Sequence, residues 1–252
     1  MSESSRSGYQ LPRKYFDPNF WVRGNKANVG ATSNKLVHMG VGHALSNWEH
    51  VEAAGAMFFS AFVESRSIAG IRAYGTINGS RAREGVMRQA AETFFSLRKN
   101  AYRKDRAAYQ EIKNFEKAAS CLIHNYGRAS ARRTDIAHGI AWELSREEIT
   151  ELSWFLVAPN YQSPKTANWI EDDARLREAK GLRLSDPAAY FDYNKFYDKN
   201  SEYVFGVPEL KTFAGKFAYL DAEMMCFLHT LDPDTFKLTP DRLYGLAKSL
   251  SD

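Results

Sequence analysis

One run of apolar residues near the middle of the 252-residue chain alternates at spacings of four and three. The run is Ala108, Ile112, Phe115, Ala119, Leu122, Tyr126 and Ala129. This spacing keeps the side chains on one face of an α-helix, whereas a strand changes face at every residue. We predict a helix from about 105 to at least 131, with Ile112, Phe115, Ala119 and Leu122 buried. The same rule extends the stripe to Arg133, so an arginine occupies a core position.

Other segments also show the apolar period of a helix. Long helices are predicted over about 35–65, 67–98 and 208–231, and a short terminal helix over about 239–250. The glycines of the second segment weaken its first half. The predicted apolar faces are Ala44, Trp48, Val51, Gly55, Phe58 and Phe62 in the first, Val86, Ala90, Phe94 and Leu97 in the second, and Phe213, Phe217, Leu220, Met224 and Phe227 in the third.

The period changes between Gly139 and the last long helix. Residues 140–144 and 152–157 have the pattern of strands. Residues 160–200 are polar and contain several prolines, with a short helix expected at about 167–180. The predicted fold class is mainly α: a bundle of four to five helices with a small strand and loop insertion at about 145–205, before the last long helix.

Residues 1–34 show no period and are predicted to be an arm, followed by a single helical-bundle domain over 35–252. The arm contains scattered aromatic residues, Tyr9, Tyr15, Phe16, Phe20 and Trp21, which suit docking rather than a free tail. The arm and the aromatic-rich residues 190–205 are candidate contacts for a partner protein.

No segment is apolar enough to suggest a membrane protein. The longest nearly apolar stretch, Ala53–Val63, is 11 residues, whereas a span needs about 20. The first residues lack the apolar core of a signal peptide. Cys121 and Cys226 each lie alone in a helical pattern and are expected to be reduced thiols. We therefore expect a cytoplasmic protein.

Positive charge is concentrated between Arg98 and Arg133. This segment contains ten basic and three acidic residues, although the net charge of the whole chain is only +4. Such a segment is either a solvated helix face or a surface that attracts phosphates. The candidate nucleic-acid contacts are Arg98, Lys99, Arg103, Lys104, Arg106, Lys113, Lys117 and Arg128.

The usual phosphate-binding, dinucleotide, hydrolase and zinc motifs are absent. His43 and His50 share a helix face near Glu49 and Glu52, but lie roughly 10 Å apart along the axis. They form either an ordinary polar face, which we favour, or part of a metal site completed by another helix. We expect no metal and no cofactor.

A short motif closes the basic helix: Arg133 is followed, after four residues, by His138 and Gly139. The segment resembles the HEPN superfamily, in which an arginine, four to six residues and a histidine form the motif and an "IAHG" ending is common. Arg132 also fits this spacing. The chain departs from the pattern at Thr134, where Asn, Asp or His is usual, and Asp135 follows one place later. The resemblance covers about 35–144 and, more weakly, 203–231.

The resemblance implies a helical bundle and metal-independent endoribonuclease activity of a toxin or anti-phage type. His138 would exchange a proton with a ribose 2′-OH or a leaving 5′-oxygen, because imidazole titrates near neutral pH. Arg133 would bind the scissile phosphate. Arg132, Thr134 and Asp135 would support the pair. RNA is the expected partner, because DNA lacks the 2′-OH.

Helix geometry adds a condition to this site. Residues five apart on a straight helix point about 140° away from each other. One copy of the motif is therefore a poor site unless the helix bends near Gly139. The resemblance implies a homodimer in which two copies face one cleft. Two alternatives stay open: a non-catalytic HEPN-like module that binds nucleotide, nucleic acid or protein, and a plain helical scaffold.

Overall fold

A computed structural model describes residues 17, 19–22, 29–65, 67–146, 149–158 and 204–231. The short helix expected at 167–180, the terminal helix at 239–250 and most of the aromatic-rich residues 190–205 lie outside the described residues. Within them the fold is mainly helical, with a small antiparallel sheet, as the sequence predicts. The elements in chain order are α1 (Asn34–Phe62), α2 (Ile68–Gly75), α3 (Ser80–Ala101), α4 (Arg106–Ala137), β1 (Ile140–Arg146), β2 (Ile149–Val157), β3 (Val204–Phe205) and α5 (Val207–Leu231).

The described residues fall into two compact units. The first lies within Met1–Val22, Leu45–Arg133 and Phe213–Asp252, and the second within Arg23–Ala44 and Thr134–Thr212. None of the described helices combines the length and the apolar character needed to cross a membrane.

Helix α4 confirms the helix predicted from the apolar stripe. It begins after Asp105, whose side chain accepts hydrogen bonds from the backbone N–H groups of Ala107 and Ala108 at 3.0 and 3.1 Å. These are the positions that a capping side chain satisfies at a helix start. Ala119 and Leu122 are buried as predicted, whereas Ile112 and Phe115 are only half-buried.

The single helix predicted over 67–98 is wrong: two helices occupy this segment. Ser67 caps the start of α2 by accepting a hydrogen bond from Ala69 N. Gly79 then adopts φ +82° immediately before α3, a conformation that residues with a Cβ rarely adopt. Of the predicted face of α3, Phe94 is buried as expected, whereas Val86 and Ala90 are half-buried and Leu97 is exposed. The buried residues of α3 are Met87, Ala91, Phe94 and Phe95.

Aromatic rings fill the core of the first unit. Phe62 of α1 contacts Phe94 and Phe95 of α3 and Phe227 of α5, with ring centroids 5.4 to 6.4 Å apart. Trp48 packs in the same way against Tyr126 and Phe217. The predictions that Trp48, Phe58 and Phe62 are core residues, and that the five-residue stripe of α5 is buried, are confirmed.

A piece of the predicted arm docks on this core. Trp21 is 2% exposed, donates its indole N–H to Asn125 Oδ1 at 2.7 Å and stacks on Phe217. Lys216 Nζ donates to the carbonyl oxygen of Phe20 at 2.6 Å. The aromatic residues of 19–22 are therefore part of the first unit's packing.

The second unit contains the sheet, with strand order β1-β2-β3 and antiparallel pairing throughout. Ile140 pairs with Val157, and Leu156 pairs with Phe205. Its core consists of Leu144, Phe155, Val157 and Val204, with Trp142 packed against it. The strand pattern predicted for 140–144 and 152–157 is confirmed.

Candidate functional site

The end of α4 holds the Arg133–His138 motif in a regular backbone. His138 N donates to Thr134 O at 3.1 Å, so helical hydrogen bonding continues through the histidine. Gly139 then turns the chain into β1. A Cβ on Gly139 would lie 2.7 Å from Cγ of Leu156, so this close approach requires glycine. His138 is therefore an exposed residue on a short turn of defined geometry.

Arg133 occupies the stripe position that the sequence predicts. Its neighbours on the stripe, Ala129 and Ile136, are fully buried, and Arg133 itself is half-buried. Its Nε is buried and, among the described residues, has no hydrogen-bond partner. An unsatisfied buried donor costs about 1–3 kcal/mol, and more in a charged group. An acceptor such as a phosphate oxygen would remove this cost.

A single helix does not direct both motif side chains to one place. Because α4 is continuous to Ala137, positions 133 and 138 keep the angular separation of about 140° that five helical residues impose. Of the three supporting candidates, Asp135 is buried, Arg132 is half-buried and Thr134 is exposed. The backbone thus presents a half-buried arginine and an exposed histidine on different faces of one helix end.

The candidate nucleic-acid contacts Arg98 and Lys99 are engaged by carboxylates. Arg98 Nη1 lies 3.0 Å from Glu64 Oε1, and its guanidinium stacks over the ring of Phe94 at 3.6 Å. Lys99 Nζ lies 2.7 Å from Glu116 Oε1. These cations join the end of α3 to the turn that follows α1 and to α4, so they offer less to a phosphate than the sequence suggests.

The other candidates are distributed along α4 and the turn before it. Arg103, Lys104, Arg106 and Lys113 are exposed. Lys117 is exposed as well, and Arg128 is half-buried. The exposed positive charge therefore lies mainly in the turn before α4 and in the first turns of α4. This part of the chain precedes the Arg133–His138 motif by several helical turns.

A polar cluster built around two buried tyrosines of the first unit was not predicted. Glu52 Oε2 accepts a hydrogen bond from Arg83 Nη1 at 2.8 Å. Tyr126 Oη donates to Glu52 at 3.0 Å, and Tyr74 Oη lies within hydrogen-bond distance of both Glu52 and Tyr126. The only sequence signal is that Glu52 follows Trp48 by four residues, at the edge of the buried stripe of α1.

The cluster holds its two phenols in the neutral form. Burial, followed by the nearby negative charges, raises the pKa of Tyr74 and of Tyr126 well above the usual value. The Glu52 carboxylate accepts from a guanidinium and from phenols, so its acceptor capacity is used within the chain. This arrangement is that of a structural network joining α1, α2, α3 and α4.

The histidine and glutamate face of α1 shows no metal-binding group. His43, Glu49 and His50 are exposed, and Glu52 belongs to the cluster with Tyr74 and Tyr126. Within the part of the chain that the structure describes, no three His, Cys, Asp or Glu side chains are grouped to hold a metal ion.

Comparison with protein-family models, curated proteins and solved structures finds no match to this chain. The likeness to the HEPN superfamily therefore depends on the residues around Arg133 and His138 and on the helical context that carries them.

Proposed function

We propose that the protein is a HEPN-like, metal-independent endoribonuclease with a composite site formed by two copies of the chain. The observation that carries the proposal is the half-buried Arg133, whose Nε has no partner among the described residues, five residues before an exposed histidine. A guanidinium in that situation suits a phosphate, and an exposed imidazole suits proton transfer at neutral pH.

The reaction would be a transesterification within the RNA. The 2′-oxygen attacks the phosphorus and the bond to the 5′-oxygen breaks, which leaves a 2′,3′-cyclic phosphate and a 5′-hydroxyl. One imidazole takes the 2′-OH proton, and an imidazolium gives a proton to the leaving oxygen. Arg133 stabilises the charge on the phosphate oxygens. Two copies of His138 at a two-fold axis would supply the base and the acid together.

The test is cleavage of a structured RNA, with end-group analysis of the products. His138→Ala and Arg133→Ala should abolish cleavage while the proteins stay folded, because general acid–base catalysis contributes about 10²–10⁴-fold in rate. His124→Ala, which removes another exposed histidine of α4, and Arg72→Ala, which removes an exposed arginine of α2, are the matched controls. Cleavage should persist in EDTA; its loss there would contradict the metal-independent mechanism.

A non-catalytic binding module is the second candidate. Thr134 favours it, because the superfamily usually has a more strongly polar residue after the arginine, and Thr134 is exposed. A folded, dimeric wild type that binds RNA but leaves it intact would support the module. The absence of any salt-sensitive RNA binding would instead favour a helical scaffold. A toxin or anti-phage role and a cytoplasmic location belong to the ribonuclease proposal.

A further inference from the structure

The turn between α3 and α4 exposes an aromatic ring among cations. Tyr102, at the end of α3, has 51% of its surface exposed. The basic residues that follow, Arg103, Lys104 and Arg106, are exposed as well. The ring and the cations are thus exposed within one short stretch of the chain, 102–106, in the first unit.

The backbone of this turn is held by hydrogen bonds on both sides of the tyrosine. Tyr102 N donates to Arg98 O at 3.0 Å, and Asp105 N donates to Tyr102 O at 3.0 Å. A ring on such a turn loses little backbone freedom when a ligand stacks on it, so the entropic cost of binding is reduced.

The acidic residue of the turn, Asp105, caps the start of α4. Asp105 accepts from two backbone N–H groups of α4, where the helix dipole places partial positive charge. Its carboxylate therefore opposes the surrounding cations less than a free aspartate would.

The same alternation continues along the first turns of α4. Lys113 Nζ lies 5.8 Å from the ring centroid of Tyr109, and Lys113 is exposed. Arg106, Tyr109 and Lys113 are three and four residues apart, so they share one helix face. We call Tyr102, Arg103, Lys104, Arg106, Tyr109 and Lys113 the tyrosine–cation surface.

We propose that the tyrosine–cation surface binds single-stranded RNA, with Tyr102 stacking on a base and the cations binding the flanking phosphates. The inference rests on RNA as the ligand in the proposed function and adds the form of RNA that is recognised. Unpaired bases offer a free face to an aromatic ring, whereas paired bases are already stacked. A ring between cations therefore favours a single strand over a duplex.

The test is binding of the full chain to two labelled probes, measured by fluorescence anisotropy. One probe is a short 2′-O-methyl oligouridine, which stays single-stranded and lacks the free 2′-OH needed for cleavage; the other is a 2′-O-methyl duplex. Tyr102→Ala and Tyr102→Leu should weaken single-strand binding about 5- to 150-fold, the range expected for one lost stacking contact of 1–3 kcal/mol. Tyr102→Phe should bind like the wild type, and duplex binding should not change.

Two further variants separate stacking from charge. Leu97→Ala, on the same helix and 62% exposed, is the matched control and should leave both affinities unchanged. Replacing Arg103 and Lys104 by Gln should weaken the binding of both probes and reduce its salt dependence. Each lost phosphate contact removes about 0.7 from the slope of log K against log salt concentration for the single strand.

Equal single-strand affinities of Tyr102→Leu and the wild type would overturn the inference, as would a wild type that does not bind the oligouridine. Cleavage of ordinary RNA by the same proteins identifies which proposal fails. Tyr102-dependent binding without cleavage supports this surface and contradicts the ribonuclease. Cleavage by a wild type whose single-strand affinity Tyr102→Leu leaves unchanged contradicts the surface alone.

Discussion

At the scale of residues, the Glu52 carboxylate has a structural role that the sequence conceals. Its side chain is only 12% exposed, and a carboxylate removed from water is costly unless donors surround it. Here Arg83, Tyr74 and Tyr126 come from three different helices to supply those donors. Periodicity places Glu52 beside a buried stripe, but it contains no information about which distant tyrosines reach it. The network therefore could not be predicted, whereas Arg133, an exception within its own stripe, could be.

The raised tyrosine pKa values predict how stability changes in alkali. Above pH 10 the unfolded chain releases phenolic protons that the folded chain retains, so the free energy of unfolding falls by up to about 1.4 kcal/mol per pH unit for each such tyrosine. Tyr126→Phe should cost about 1.5–3 kcal/mol near pH 8, through the lost hydrogen bond to a charged group. Its deficit should then shrink as the pH rises above 10.

Urea unfolding at several pH values, followed by circular dichroism, measures the stability lost in Tyr126→Phe near pH 8 and its decrease above pH 10. Tyr109→Phe, on the same helix but half-buried, is the control and should change stability by less than about 0.5 kcal/mol. Parallel pH profiles for the wild type and Tyr126→Phe would show that Tyr126 ionises equally in both states.

At the scale of elements, the local apolar pattern is enough to predict a helix where the helical period is unbroken. The stripe of α4 predicts the helix because every member lies in one continuous segment. The prediction failed between α2 and α3, where Gly79 adopts a positive φ that no periodicity reveals. The predicted apolar face of α3 also included Leu97, which is exposed. The apolar residues of α3 fit two neighbouring helical faces, and only packing against the other helices selects one of them.

The start of α4 gives a prediction at this scale. Asp105→Ala should lower stability by about 0.5–2 kcal/mol, because two backbone N–H groups lose their acceptor. Asp105→Asn retains an acceptor at the cap but no charge, and should recover most of the loss. Thermal unfolding of the three proteins compares them. A loss of equal size in both variants would attribute the effect to the charge of Asp105 rather than to capping.

At the scale of the whole molecule, the angular separation of Arg133 and His138 along one helix predicts a homodimer. Light scattering at micromolar concentration should give twice the chain mass of 28.6 kDa. A bifunctional maleimide should link two copies of the His138→Cys variant efficiently, because the proposal places both copies of position 138 near the two-fold axis. Thr93→Cys, exposed on α3, is the control. A strictly monomeric chain would contradict the composite site.

The packing of α5 has a consequence for synthesis of the chain. Phe58 and Phe62 of α1 pack on Phe227, and Trp48 packs on Phe217, so partners are separated by more than 150 positions. Contacts between positions so far apart require closure of a long loop, which costs chain entropy. Domains generally fold as units during translation. On a ribosome, the rings of α1 must therefore wait for nearly the whole described chain to emerge, and a chaperone that covers apolar surface during that interval should raise the yield of folded protein.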